Sequence, residues 1–357
     1  MEKRMNVNRD NGIDLLRLLS TIAVILLHVN ASVMEPLSGM GTLRFDEAVN
    51  HFINVITRFS VPTFVMVSGA FILHDERNAD YKAFYCKSIY KIFLPALLAM
   101  VLFVPISMVD GNSILSVLKA IATGAYYNLW FMHMLLGLYL LTPFIIIVKK
   151  AIPDRLYCGT AVVLLCVAVL SQAYSHYQIS YSLGVVFSYL SYYLIGNVIY
   201  EKMQVYKTPG TKKKIILHPM FLIIISVSLF VITWLFRLNS GFSYYSINPY
   251  VSFFSPTIVL ASILVFIAFN NIQVKLNVFR LSSLTFYIYL FHTVCYKVLF
   301  LILYRLLPVN ELVLIVICTV LTFLASLVIA YCYRWFWNLL DQIMHFKDRW
   351  YSLRIWK

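Results

Sequence analysis

Charge is what this chain has least of. Only 12% of its 357 residues are Asp, Glu, Lys or Arg, about half the share that a water-facing surface requires. That scarcity excludes a soluble globular enzyme, and 61% apolar residues exclude a disordered chain as well. Glycine and proline, 12 and 11 residues, are too sparse for a collagen-like protein. The six cysteines (86, 158, 166, 295, 318 and 332) form no CxxC or finger spacing and lie mostly within apolar runs. They read as packing residues rather than disulfides or metal ligands. What is abundant is uninterrupted apolar sequence. The runs extend for about 20 residues, the helix length that crosses roughly 30 Å of hydrocarbon, whereas barrel strands alternate apolar and polar over about 10. The expected class is an all-α, polytopic integral-membrane helical bundle.

Ten spans are expected, at 13–34, 52–73, 89–109, 129–149, 156–173, 183–200, 215–236, 250–270, 281–303 and 311–333. The sixth is the weakest, because SYLSYYLIGN is rich in Tyr and Ser. An even number puts both termini on one side. On that side lie 22 of the 29 Lys and Arg; the opposite loops hold four (Arg44, Lys119, Arg237, Arg305) and the spans three (Arg17, Arg58, Lys297). This asymmetry predicts cytoplasmic termini. It also accounts for the net charge of +14 without a nucleic-acid partner. Arg17 interrupts the start of the first apolar run, so that run reads as an uncleaved first helix rather than a signal peptide. Lys212-Lys213-Lys214 and the basic C-terminal tail read as topology signals that also touch anionic membrane lipid. Residues 1–357 are expected to form a single integral-membrane domain.

Ionisable side chains inside spans are costly, and each is a functional candidate. The first span carries Asp14, Arg17 and His28. Eleven residues at about 100° each close to roughly 20° past three turns, so Arg17 and His28 share a face about 16 Å apart along the axis. A helix face carrying both groups fronts a polar cavity rather than lipid. Asp14, three residues before Arg17, is placed to pair with it. The second span carries Arg58, then Val61-Pro62, then Ser68-Gly69. Arg58 sits at a depth similar to His28, and a mid-span arginine calls for a partner or an anionic ligand. Pro62 is expected to kink the helix. Ser68-Gly69 reads first as a close helix contact. In the ninth span Tyr289 and His292 are one turn apart, with Lys297 further out; Asn128-Leu129-Trp130-Phe131 opens the fourth. An interfacial Trp is ordinarily a lipid-boundary anchor. His133 and His176 carry no spacing that argues for more than packing or exposure.

These landmarks resemble a known family. GIDLLRLLSTIAVILLH resembles the start of the membrane-bound acyltransferase-3 family, marked by a basic residue, ten others and then His; Arg17 and His28 fit it. RFSVPTFVMVSGAFIL is similar to that family's Arg, Val-Pro, Phe and Ser-Gly segment. NLWF at 128–131 and SSLTFYIYLFH at 282–292 are similar to its later landmarks, in the expected order. Length and the lack of a soluble extension resemble the bacterial surface-polysaccharide O-acyltransferase branch, which implies a bacterial plasma-membrane location. The sequence departs from the pattern at two places. An Arg-x-x-Arg pair entering the third span is replaced by Lys87 and Lys91, one position wider, and a His before Leu-Trp-Phe is replaced by Asn128.

The resemblance implies acyl transfer, usually of acetyl from acetyl-CoA, to hydroxyls of a surface glycan or its lipid-linked precursor; succinyl is the alternative donor group. No permanently bound cofactor or metal is implied, and glycan-assembly proteins are the implied protein partners. His28 is then the catalytic base and Arg17 a donor-binding residue. Lys87, Lys91 and Ser68 join Arg17 as candidates for holding acyl-CoA at the cytoplasmic mouth. Arg58 is expected to stabilise the oxyanion or orient the acceptor. Trp130, Tyr289 and His292 are acceptor-binding or structural candidates. A rival reading is a transporter or flippase for a glycan or lipid-linked sugar, since intramembrane Arg, His and Lys suit a substrate path equally. Paired broken helices in repeated halves, which often mark transporters, are not found.

Overall fold

The structure, a computed structural model, describes residues 11–34, 45–109, 111–123, 130–174, 181–207, 218–239, 251–275, 277–306 and 309–344. Arg44, Asn128, Leu129, His176, Lys212 to Lys214 and the end of the basic tail lie outside the described residues. Among the described residues all regular structure is helical. The chain opens with α1 (Asn11–Met34), α2 (Phe45–Ile56) and α3 (Ser60–Ile72). α4 (Tyr81–Ser88) runs through a π turn at Ile89–Phe93 into α5 (Leu94–Val109), followed by the short α6 (Ile114–Thr123). Then come α7 (Trp130–Ala151), α8 (Asp154–Tyr174), α9 (Tyr181–Lys207), α10 (Pro219–Asn239) and α11 (Pro256–Asn271). The single-turn α12 (Phe279–Ser282) leads into α13 (Thr285–Leu306) and the long α14 (Glu311–Met344).

Among the described residues, eight helical rods are long and apolar enough to cross a membrane: α1, α2–α3, α4–α5, α7, α8, α10, α13 and α14. Their outward faces carry exposed aliphatic residues, such as Val163 and Val167 on α8 and Val316 and Val328 on α14, the surface that lipid covers. The two remaining expected spans differ in kind. α11 is apolar but only 16 residues long. α9 is long but polar, and its Ser191, Tyr192, Tyr193 and Asn197 are fully buried. It packs inside the protein, where hydrogen bonds replace the apolar face that lipid would demand. Tyr193 shares a 2.9 Å hydrogen bond with Thr142 of α7, and the Tyr157 hydroxyl of α8 donates to Asn197 Oδ1 at 3.1 Å. Glu201, near the end of α9, pairs with Lys149 and lies 3.3 Å from His74 Nδ1.

α9 also makes a close seam against α3. A Cβ on Gly69 would stand 1.9 Å from the backbone oxygen of Tyr193, and one on Gly196 would stand 2.2 Å from that of Met66. Glycine at both places lets the two backbones touch. The structure therefore assigns Gly69 of the Ser68-Gly69 pair to the helix contact.

The expected kink at Pro62 takes a different form. The second rod breaks into α2, a 3-10 turn at Thr57–Phe59, and α3. Pro62 falls in the first turn of α3, directly after the 3-10 turn, in a rod whose backbone stays helical through the change. Hydroxyls satisfy carbonyls at the break: Thr57 donates to Ile53, Ser60 to Thr57 and Thr63 to Phe59, at 2.7 to 2.9 Å. Ser20 on α1 shares a 2.8 Å hydrogen bond with Thr63, which fixes the restarted helix against the first.

Three contacts place the start of α1 and the later part of α14 on the same side. Asn11 Nδ2 donates to the Val274 carbonyl at 3.0 Å, Ser282 Oγ to Asp14 Oδ1 at 2.8 Å, and Arg334 Nη1 to Ser283 Oγ at 2.9 Å. This is called the terminal side below. All six cysteines are free thiols, with Cys295 and Cys318 buried and Cys166 and Cys332 on exposed helix faces.

Candidate functional site

Two cavities enter the bundle from opposite sides and meet at one histidine. The larger, about 700 Å³, opens on the terminal side between α1, α3, α7, α13 and α14, with the π turn of the third rod at its mouth. The second, about 480 Å³, opens on the opposite side among α1, α2, α10 and the segment before α11. Val24, His28, Val61 and Trp130 stand in the walls of both.

Arg17 and His28 both line the larger cavity, as their shared helix face requires. Arg17 is held by Asp14 (Nη1 to Oδ1, 3.8 Å) and lies over the Phe71 ring at 5.0 Å. Asp14 is itself fixed by Ser282. Deeper in, rings rather than hydrogen bonds position His28 among the described residues. The Tyr296 ring stacks on it at 5.9 Å and 4°, and the His292 ring lies 5.3 Å away. His292 is buried, and its Nδ1–H donates to the Tyr289 carbonyl at 2.5 Å. That bond sets the tautomer and leaves Nε2 as the acceptor, 3.4 Å from the Thr293 hydroxyl. His292 thus orients the ring next to His28, while Tyr289 lines the cavity and packs on Phe131 at 5.2 Å.

At the mouth the structure separates the two lysines. Lys91 lines the cavity, whereas Lys87 is exposed and outside its wall. The π turn explains the difference: its extra residue per turn rotates Tyr90, Lys91 and Ile92 onto the cavity face, a use of π turns that recurs at functional sites. Ser68 lines the same cavity and donates to the Phe64 carbonyl at 2.9 Å.

The family model for the acyltransferase-3 acyltransferase domain matches residues 10–331. The chain belongs to the acyltransferase-3 family. Its apolar helices make it a multi-pass membrane protein of that family. Over 137 residues it is 31% identical to an amino-acid racemase of Enterococcus faecalis, a stretch covering 35% of this chain and 18% of that protein. The chain therefore spans less than a fifth of that relative's length. No solved structure matches.

Several wall residues of these cavities were not legible as site residues in the sequence. Arg334, Trp337 and Asp341 line the terminal-side cavity, although residues from 334 onward read as a basic tail. α14 is 34 residues long and extends past the expected end of its span, which carries them there. An apolar helix running on into RWFW was the available signal. Arg237 read as a loop charge, yet it is buried in the last turn of α10 and lines the opposite cavity with His51, Asn54 and Gln172. Trp130 is no lipid anchor: it opens α7 between the cavities and packs on Tyr189 at 5.7 Å and Phe253 at 6.4 Å. Arg58 lines only the opposite cavity, where Asn54 Oδ1 accepts from its Nε at 3.2 Å and its Nη2 at 3.0 Å. Lys297 sits on an exposed face of α13, and His133 lines neither cavity.

Proposed function

We propose that this acyltransferase moves an acyl group, most simply acetyl from acetyl-CoA, to a hydroxyl of a cell-surface polysaccharide or its lipid-linked precursor. The observation that carries the proposal is the place of His28 in the walls of both cavities. A donor and an acceptor can each approach the same imidazole from its own side, and neither has to cross the bilayer. The basic excess of the terminal side makes that side cytoplasmic, so the larger cavity faces the compartment that supplies acyl-CoA. Arg17, Lys91 and Arg334 give its walls the positive charge that coenzyme A phosphates need. The arrangement suits the plasma membrane of a bacterium.

In the reaction the acceptor hydroxyl gives its proton to an unprotonated nitrogen of His28 as its oxygen attacks the thioester carbonyl. A C–O bond forms, the C–S bond breaks, and the proton passes from the imidazolium to the departing thiolate. Products are the O-acyl glycan and free coenzyme A. The position of Arg58, on the acceptor cavity alone, favours orienting the acceptor over stabilising the oxyanion.

His28→Ala tests the reading. General bases contribute about 10²–10⁴-fold in rate, so transfer of labelled acetyl to extracted glycan should fall by that factor at matched protein levels, with coenzyme A binding retained. Wild-type activity in His28→Ala membranes would remove the mechanism. No transfer in wild type, with acetyl and succinyl donors alike, would favour a transporter that uses the two cavities as a path.

A further inference from the structure

The two cavities open on opposite sides of a membrane protein and share part of their walls. If those walls parted, a path across the bilayer would exist, so the shared residues have a duty besides chemistry. They are Val24 and His28 of α1, Val61 of α3 and Trp130 of α7. Three of the four are apolar. Val24 and Val61 are buried, and the indole of Trp130 is the largest side chain of the group.

The neighbours of Trp130 divide between the two spaces. Phe131, 6.2 Å away at 83°, lines the terminal-side cavity and not the other. Phe253, 6.4 Å away at 40°, lines the opposite cavity and not the first. Tyr189 of α9, itself buried, packs on Trp130 at 5.7 Å and on Phe253 at 6.4 Å. The Tyr192 hydroxyl, one turn further along α9, donates to the Phe253 carbonyl at 2.5 Å. The aromatic packing around the indole is thus anchored in the interior helix α9.

A narrow apolar junction excludes water, and hydrophobic constrictions close membrane pores on the same ground. An enclosed apolar hole left by a truncated side chain stays dry. A hole at Trp130 would differ, because it would open at both ends and carry His28 on its wall. Water would enter it.

We infer that Trp130 is the seal between the two cavities, and that by keeping them apart it makes a glycan hydroxyl rather than water the acyl acceptor. The choice of acceptor rests on the acyl-transfer reading; the seal does not. Water reaching an unprotonated His28 would attack the thioester carbonyl as the hydroxyl does. A C–O bond would form, the C–S bond would break, and the water's proton would pass through the imidazole to the departing thiolate. The products would be acetic acid, which then ionises, and free coenzyme A. Water far outnumbers any glycan hydroxyl, so exclusion has to make the choice, and expelling water from a site prevents this side reaction.

The test uses the full chain reconstituted in liposomes loaded with a pH-sensitive dye. Wild type and Trp130→Phe should hold an imposed pH gradient, and Trp130→Ala should dissipate it severalfold faster. Thermal unfolding in detergent checks that each variant is folded. If Trp130→Ala is not, Val61→Ala, which thins the same junction from α3, carries the measurement. Dissipation at the wild-type rate in folded Trp130→Ala, or in Val61→Ala in its place, overturns the inference. With acetyl-CoA and glycan supplied, the ratio of acetate to acetylated glycan should rise about tenfold in Trp130→Ala, about 1.4 kcal/mol in relative barrier. Transfer and hydrolysis that fall together, with the ratio unchanged, would mark a merely structural Trp130 and overturn the choice of hydroxyl over water. A leak in Trp130→Ala, from a wild type that neither transfers nor hydrolyses acetyl-CoA, would support the seal and strike the acyl-transfer reading instead.

Discussion

Gly69→Ala sets two effects of opposite sign against each other. In a helix interior, alanine is favoured over glycine by about 0.8–1.0 kcal/mol, so propensity alone makes the substitution stabilising. The seam between α3 and α9 reverses the sign. The new Cβ would lie 1.9 Å from the Tyr193 backbone oxygen, where an ordinary C···O approach is about 3.3 Å. The helices must part by about 1.4 Å, and no rotamer relieves a clash with backbone. A gap of about 1 Å already forfeits up to half of each dispersion contact along the seam, and overpacking of this kind costs about 1–3 kcal/mol. The expected net loss is at the upper end of that range. Gly159 in α8 is the control, since a Cβ there meets nothing within 4 Å. Thermal unfolding of detergent-purified protein should show Gly159→Ala at or above wild type and Gly69→Ala clearly below it. Activity should fall with Gly69→Ala as well, because α3 carries Val61, Phe64 and Ser68 into the cavity wall. A Gly69→Ala protein as stable as Gly159→Ala would refute the close seam.

Topology and donor binding offer two further checks. A reporter fused after Lys214 should be cytoplasmic and one inserted between Asn239 and Asn248 external; finding both on one side would remove the expected arrangement of spans. Arg334→Gln should weaken coenzyme A binding by about tenfold at low salt, the effect of one charge-assisted contact near the lower end of roughly 1.5–3 kcal/mol. That loss should exceed the loss in Lys87→Gln, because Arg334 lines the cavity and Lys87 does not. Equal effects would put the phosphates elsewhere.

Apolar length and helical period carried most of the fold into the sequence, because lipid imposes both on each spanning helix independently. The shared face of Arg17 and His28 followed from 3.6-residue geometry for the same reason, being a property of one helix. What was not legible depends on more than one element. α9 reads as a weak span since its Tyr, Ser and Asn side chains are satisfied by α7 and α8, partners that no local pattern names. Lys87 and Lys91 look equivalent four residues apart, and only a π turn separates them. The seam at Gly69 was visible as a small residue, but its partner, the Tyr193 carbonyl, was not.

The cations of the spanning helices then divide by what they face. A charge in a spanning helix costs about 2.5–3.5 kcal/mol at the bilayer centre, a penalty that a water-accessible cavity relieves and a lipid-facing surface does not. Arg17 faces the cavity on the terminal side, and Arg58 and Arg237 face the one opposite. Lys297 is exposed on α13, within reach of the interface along its own flexible stem. The first three are thus tied to the two approaches that converge on His28, and the fourth to the membrane boundary. Arg237 shows why the division requires the structure. Its position near a predicted helix end fits the boundary reading as well as it fits Lys297, and only the packing of α10 beside α2, fixed by the 2.9 Å hydrogen bond from Trp234 Nε1 to the Ala48 carbonyl, turns it inward to the cavity that His28 shares.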